Sequence, residues 1–136
     1  MNRVLLIDRD RTFAEAMGLA CLDRGIASRL AENLPEGVRY LAHAPVAAIV
    51  IDEGLLRLTP GEQQKLFSAV APDVPVTVLV HENWPLVERV ALELSGFHVC
   101  TRPTDVEELL EKLEFAETAR RARPGAAARL ETASRG

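Results

Sequence analysis

Residues Val46-Ala47-Ala48-Ile49-Val50-Ile51-Asp52 form an unbroken apolar run of strand length that closes on a carboxylate. A strand without polar alternation predicts burial on both faces, the condition of a central parallel strand. An acid at its C-terminal end falls where open α/β sheets place their binding crevices. Val4-Leu5-Leu6-Ile7 followed by Asp8 repeats the form. Two such strands predict one acidic site if they are neighbours in the sheet.

The rest of the chain alternates strand and helix signals around these two runs. A helix is predicted from Thr12 to Arg24, with Phe13, Met17, Ala20 and Cys21 on one stripe and Gly25 at its end. Ile26–Ala31 reads as a weak second strand, and a short helix over Pro35–Ala42 faces Val38 and Leu41 inward. After a loop over Glu53–Leu58, Thr59-Pro60-Gly61-Glu62 is a helix start with Thr at the cap and Glu three residues on. Leu66, Phe67 and Val70 supply that helix with its apolar face. Val76–Val80 is a fourth apolar strand. Pro85 opens a helix whose Leu86, Val87, Val90, Ala91 and Leu94 are expected to face inward, and Gly96 ends it. Phe97–Thr101 is the fifth strand. Thr104-Asp105-Val106-Glu107 reads as a second capping box, opening a helix with Val106, Leu109, Leu110 and Leu113 on one stripe. The apolar period fades after Phe115. The expected organisation is one domain over residues 1–115 and a flexible, Ala/Arg-rich tail over 116–136.

Short connections between alternating strands and helices predict a flavodoxin-like, doubly wound five-stranded parallel sheet with helices on both faces. Strand order 2-1-3-4-5 places the first and third strands side by side, so that Asp8 and Asp52 share a crevice.

Composition narrows the function. The chain is acidic, with a net charge of −4. Residues 1–115 hold 18 acids against 11 bases, and residues 116–136 hold two acids against five arginines. An acidic body argues against nucleic acid as a partner. No apolar run is long enough to span a membrane, and Met1-Asn2-Arg3 leads directly into a strand. Cys21 and Cys100 fall inside predicted elements and read as reduced core residues of a cytoplasmic protein. Neither Gly-x-Gly-x-x-Gly nor Gly-x-x-x-x-Gly-Lys occurs, so no nucleotide loop is expected.

With this order of anchors, residues 3–115 resemble the receiver domain of bacterial two-component response regulators. The resemblance makes Asp8 the first acid of the pocket and Asp52 the phosphoacceptor position, and puts Arg102-Pro103 at the family's Lys-Pro. It implies a Mg²⁺ site from Asp8, Asp52 and the carbonyl of Gly54. Partners implied are a histidine kinase or downstream effector, and a second copy meeting the face of the fourth helix, fifth strand and fifth helix, where Leu86, Val87, Glu88, Arg89 and Glu93 lie. The departures fall on the chemistry. Arg9 stands at the second acid, where it is expected to pair with Asp52 or Asp8 in the metal's electrostatic role. A guanidinium offers five donors and no acceptor, whereas Mg²⁺ takes oxygen ligands, which counts against metal. Asp10 is the remaining acid of the pocket. Val80 stands where a Ser/Thr would read the phosphoryl group, and His81 occupies a usually small position beside it. Val99 falls near the switch aromatic. The expectation is an atypical, stand-alone receiver, not an enzyme, that signals through protein contacts with Asp phosphorylation weak or lost. Trp84 beside Pro85 reads as a partner contact more than as a loop anchor.

A rival comes from Leu5-Leu6-Ile7-Asp8-Arg9-Asp10-Arg11-Thr12, which also resembles the first motif of haloacid dehalogenase-like phosphatases. There Asp8 would be the nucleophile and Asp10 the general acid/base. That chemistry needs a lysine and further acids after later strands. Lys65 and Lys112, the two lysines, both fall in predicted helices.

Overall fold

The computed structural model describes residues 2–121 of the 136. Its strands are β1 (Arg3–Ile7), β2 (Ala27–Ala31), β3 (Ala48–Asp52), β4 (Val76–Val80) and β5 (His98–Thr101). The helices are α1 (Arg11–Asp23), α2 (Leu34–Leu41), α3 (Pro60–Val70), α4 (Leu86–Leu94) and α5 (Val106–Arg121), with a 3-10 turn at Glu53–Leu55. The strands pair in parallel in the order β2-β1-β3-β4-β5, the order expected from the sequence.

The apolar runs divide by parity. Leu5, Ile7, Ile49, Ile51, Val78 and Val80 pack on one face with Leu41, Phe67 and Leu92. Val4, Leu6, Ala48, Val50 and Leu79 pack on the other with Met17, Cys21, Leu109, Leu110 and Leu113. Successive strand side chains point to opposite faces, and helices cover both, so the central strands are apolar almost throughout, with Thr77 the buried polar exception in β4. β2 is different. It lies at an edge, four of its five residues are exposed, and Ala31 alone is buried, which explains its weak sequence signal.

Local signals place the helix ends. Asn33 Oδ1 accepts from Glu36 N at 2.8 Å to start α2. Thr59 and Glu62 form the expected reciprocal pair at α3, with Oγ1 accepting from Glu62 N at 3.2 Å and donating to Glu62 Oε1 at 3.1 Å. Gly25 and Gly96 end α1 and α4 at φ of 69° and 94°, the left-handed region that costs glycine little.

Four expectations need correction. α4 turns its apolar stripe outward: Leu86, Val87 and Leu94 are 73%, 80% and 84% exposed, Val90 is also exposed, and buried Leu92 is its core anchor. Leu92 lies on the opposite side from that stripe, among the charged residues Glu88 and Arg89, so the apolar period points to the solvent face. The cap of α5 is Asp105, not Thr104; its Oδ1 accepts from Glu107 N at 2.7 Å and Glu108 N at 3.4 Å. α5 continues to Arg121, so the first residues of the expected flexible tail are helical, and Glu117 among them is buried. Trp84 packs against the core beside Leu92 rather than standing free. The rest of the expected tail lies outside the described residues. Among the described residues no helix is long and apolar enough to cross a membrane.

Candidate functional site: an acidic crevice with an arginine in it

Ile7 pairs with Ile51 in the β1–β3 ladder, so the next residue on each strand, Asp8 and Asp52, emerges side by side at the C-terminal edge of the sheet. Asp8 is the more deeply set, at 2% exposure. Its Oδ1 accepts from Asp10 N at 3.0 Å, and its Oδ2 accepts from Arg102 Nη2. Asp52 keeps a side chain 24% exposed. Its Oδ1 accepts from Gly54 N at 2.9 Å, which caps the 3-10 turn. Its Oδ2 lies 3.6 Å from the same Arg102 Nη2. One guanidinium nitrogen therefore faces both acids.

Arg102 reaches this position from the loop after β5. Its backbone N donates to Val80 O at 2.7 Å, which continues the β4–β5 ladder by one residue, and the Arg102–Pro103 peptide is cis. The guanidinium carbon lies 4.9 Å from the centroid of the Phe13 ring on α1, a cation–π distance. Buried Nε has no partner among the described residues.

Arg9 does not take the inward role expected of it. It is exposed, and Arg102 makes the pair with Asp8 instead. Asp8 is the last residue before the chain turns into α1, and the next side chain points to solvent. Asp10 is exposed and acts as the N-cap of α1, accepting from Phe13 N at 3.1 Å. That use also bears on the phosphatase alternative: the would-be acid/base is a helix cap, and Lys65 and Lys112, on α3 and α5, do not line the cavity at the crevice. Val80 is buried in the apolar layer and brings no hydroxyl. Val99 is half-buried against the same layer.

The crevice opens into a cavity of about 500 Å³ lined by Asp10, Phe13, His81, Glu82, Arg102 and Thr104, among others. His81 stands at its mouth, exposed, with Nε2 3.9 Å from Glu53 Oε1. Two contributors escaped the sequence reading. Phe13, assigned to the α1 core stripe, is the ring over Arg102. Glu53 has a side chain only 17% exposed; burial, and then the Asp52 charge, push its carboxyl above the ordinary glutamate value, partly offset by His81. Its place directly after Asp52 was the available signal.

A divalent metal at this place would draw on Asp8, Asp52 and the Gly54 carbonyl. The donor set does not fit one as it stands. Both oxygens of Asp8 already accept hydrogen bonds, the second acid is an outward arginine, and a cation from the chain faces both carboxylates. Among the described residues no group of three or more His, Cys, Asp or Glu side chains is placed to hold a metal ion.

A parallel 2-1-3-4-5 sheet with two acids at the C-terminal ends of β1 and β3 defines a receiver-like fold. Neither a protein-family model nor a curated protein sequence matches the chain, but solved structures do. A CheY-like receiver domain protein from Methanospirillum hungatei JF-1 superposes with a TM-score of 0.75 at 16% identity, covering 88% of this chain and 96% of that one. The receiver domain of the Pseudomonas aeruginosa PAO1 sensor histidine kinase PA1611 gives 0.69 at 18%, covering 86% and 98%; that protein has a magnesium ion coordinated in its active site cleft. A chain from Rhodopirellula baltica described as an adenylate cyclase gives 0.78 at 14%, covering all of both. The chain has the receiver-domain fold, and identities this low carry nothing finer.

Proposed function

We propose that this chain is an atypical receiver module of a signalling pathway, working by protein–protein contact in the cytoplasm, with phosphorylation of Asp52 weak or lost and with no enzymatic activity of its own. The observation that carries this reading is the Asp8–Arg102–Asp52 cluster. An aspartyl phosphate forms when a carboxylate attacks a phosphoryl group whose charge is neutralised by metal and cations. Asp52 is the carboxylate in the right place, but the chain's own arginine stands against it, and Arg9 has replaced an acid. Readout is weakened too, because Val80 offers no hydroxyl to pull on a phosphoryl oxygen.

The partner surface in this reading is the outer face of α4, continued by the open edge of β5 and by α5. Leu86, Val87, Val90 and Leu94 form an exposed apolar ridge there, and exposed contiguous apolar surface is characteristic of interaction sites. A groove of about 1060 Å³ lined by Glu93, Phe97, His98, Val99, Glu108 and Lys112 lies beside it. A second copy, a histidine kinase or a downstream effector would occupy this face.

The test is intact-mass measurement after incubation with acetyl phosphate or phosphoramidate and Mg²⁺, with Asp52→Asn as the control. The expected result is no stoichiometric phosphoryl adduct on wild type. A full adduct that Asp52→Asn abolishes would restore an ordinary phosphorylated receiver.

A further inference from the structure

We propose that Arg102 is the resident cation of the crevice, and that its guanidinium closes a site that would otherwise bind a divalent metal. Asp8 is 2% exposed. A carboxylate that deep keeps its charge only beside a compensating cation. The cation is Nη2 of Arg102, bonded to Asp8 Oδ2 and 3.6 Å from Asp52 Oδ2.

The other contacts of Arg102 hold it there by charge and packing. Its ring partner Phe13 lies on α1 at 4.9 Å, its backbone is tied to Val80 O at 2.7 Å, and its buried Nε finds no acceptor among the described residues. An arginine placed for its hydrogen bonds alone would not leave that donor unpaired.

Removal of the guanidinium leaves two carboxylates facing each other with no counter-charge. Two acids and a nearby carbonyl, with water completing the shell, suit Mg²⁺ or Mn²⁺. The inference deepens the signalling reading by assigning the cation of the same crevice, and the two fail separately. A wild type that takes the phosphoryl group yet binds no metal would sink the signalling reading and spare the inference about Arg102.

The full chain is titrated with MgCl₂ by calorimetry and with MnCl₂ by the EPR signal of the free ion, as wild type, Arg102→Met and Arg102→Lys. Wild type is expected to give no saturable binding through the millimolar range. Arg102→Met is expected to bind both ions saturably, with a melting temperature that rises with metal concentration. Adding Asp8→Asn to it should abolish both effects. Arg102→Lys keeps Asp8 paired with a flexible ammonium that yields more readily than a planar fork, so it should bind measurably and more weakly than Arg102→Met. If Arg102→Met does not fold, Arg102→Lys decides the matter. Saturable binding by wild type within the millimolar range would overturn the proposal, as would folded arginine variants that bind neither ion.

Discussion

Arg102 Nη2 bonds to Asp8 Oδ2 and stands 3.6 Å from Asp52 Oδ2, so two adjacent acids share one cation unequally. The inequality follows burial. Asp8 has lost its water and depends on the arginine, whereas the Asp52 side chain is 24% exposed and has a backbone donor of its own at Gly54.

Asp8→Asn is therefore expected to cost about 3–5 kcal/mol, the range for breaking a buried ion pair by removing one partner. Asp52→Asn should cost less than ~1 kcal/mol, as for a solvent-screened pair, since asparagine can still accept from Gly54 N. Urea denaturation of the two variants at neutral pH checks the order. Equal losses would mean that Arg102 serves both acids alike.

Glu53 gives the pH dependence. Its carboxyl titrates above the ordinary value of 4.5 because burial, and then Asp52, disfavour the charged form. Between 4.5 and the raised folded value the folded state holds the proton more tightly than the unfolded state. Stability from this group is thus present at low pH and lost as pH rises through that window. Glu53→Gln should match wild type below the window and be the more stable above it. Melting curves across that range test the sign, and a variant less stable than wild type at neutral pH would contradict it.

The two sides of α4 should respond in opposite ways. Leu92→Ala removes a side chain packed in the core and is expected to cost about 2–5 kcal/mol. Val87→Glu and Leu94→Glu, on the exposed ridge, should change monomer stability by no more than ~0.5 kcal/mol while weakening any self-association seen by sedimentation velocity. If the ridge substitutions unfold the protein, α4 packs with its stripe inward after all.

Both cysteines are buried, and desolvation raises both thiol pKa values above 9.0. Native protein should react with a thiol reagent such as DTNB only on the timescale of opening, and denatured protein at once. The raised values also mean that stability falls as pH rises from about 9 upward, when the unfolded thiols ionise first. Prompt labelling of the native chain would show that one site is open.

The alternation of buried strands and capped helices was legible because each signal is local. Thr59 and Glu62 are three residues apart, and Val76–Val80 is apolar at every position but one. The convergence of Asp8 and Asp52 could also be read, since adjacent strands in a 2-1-3-4-5 order carry both acids to one edge.

The sequence alone thus determined the fold class and the pair of acids, through short-range periodicity and strand-end position. Tertiary structure decided which arginine meets them. Arg9 is adjacent to Asp8 in the chain, yet it turns to solvent at the entrance to α1, while Arg102 arrives from 94 residues away. It also decided which side of α4 is buried. Leu86, Val87, Val90 and Leu94 form a well-marked apolar stripe, yet Leu92 on the other side is the buried residue, because the inner face of a helix is set by the surface it packs against and not by its own period.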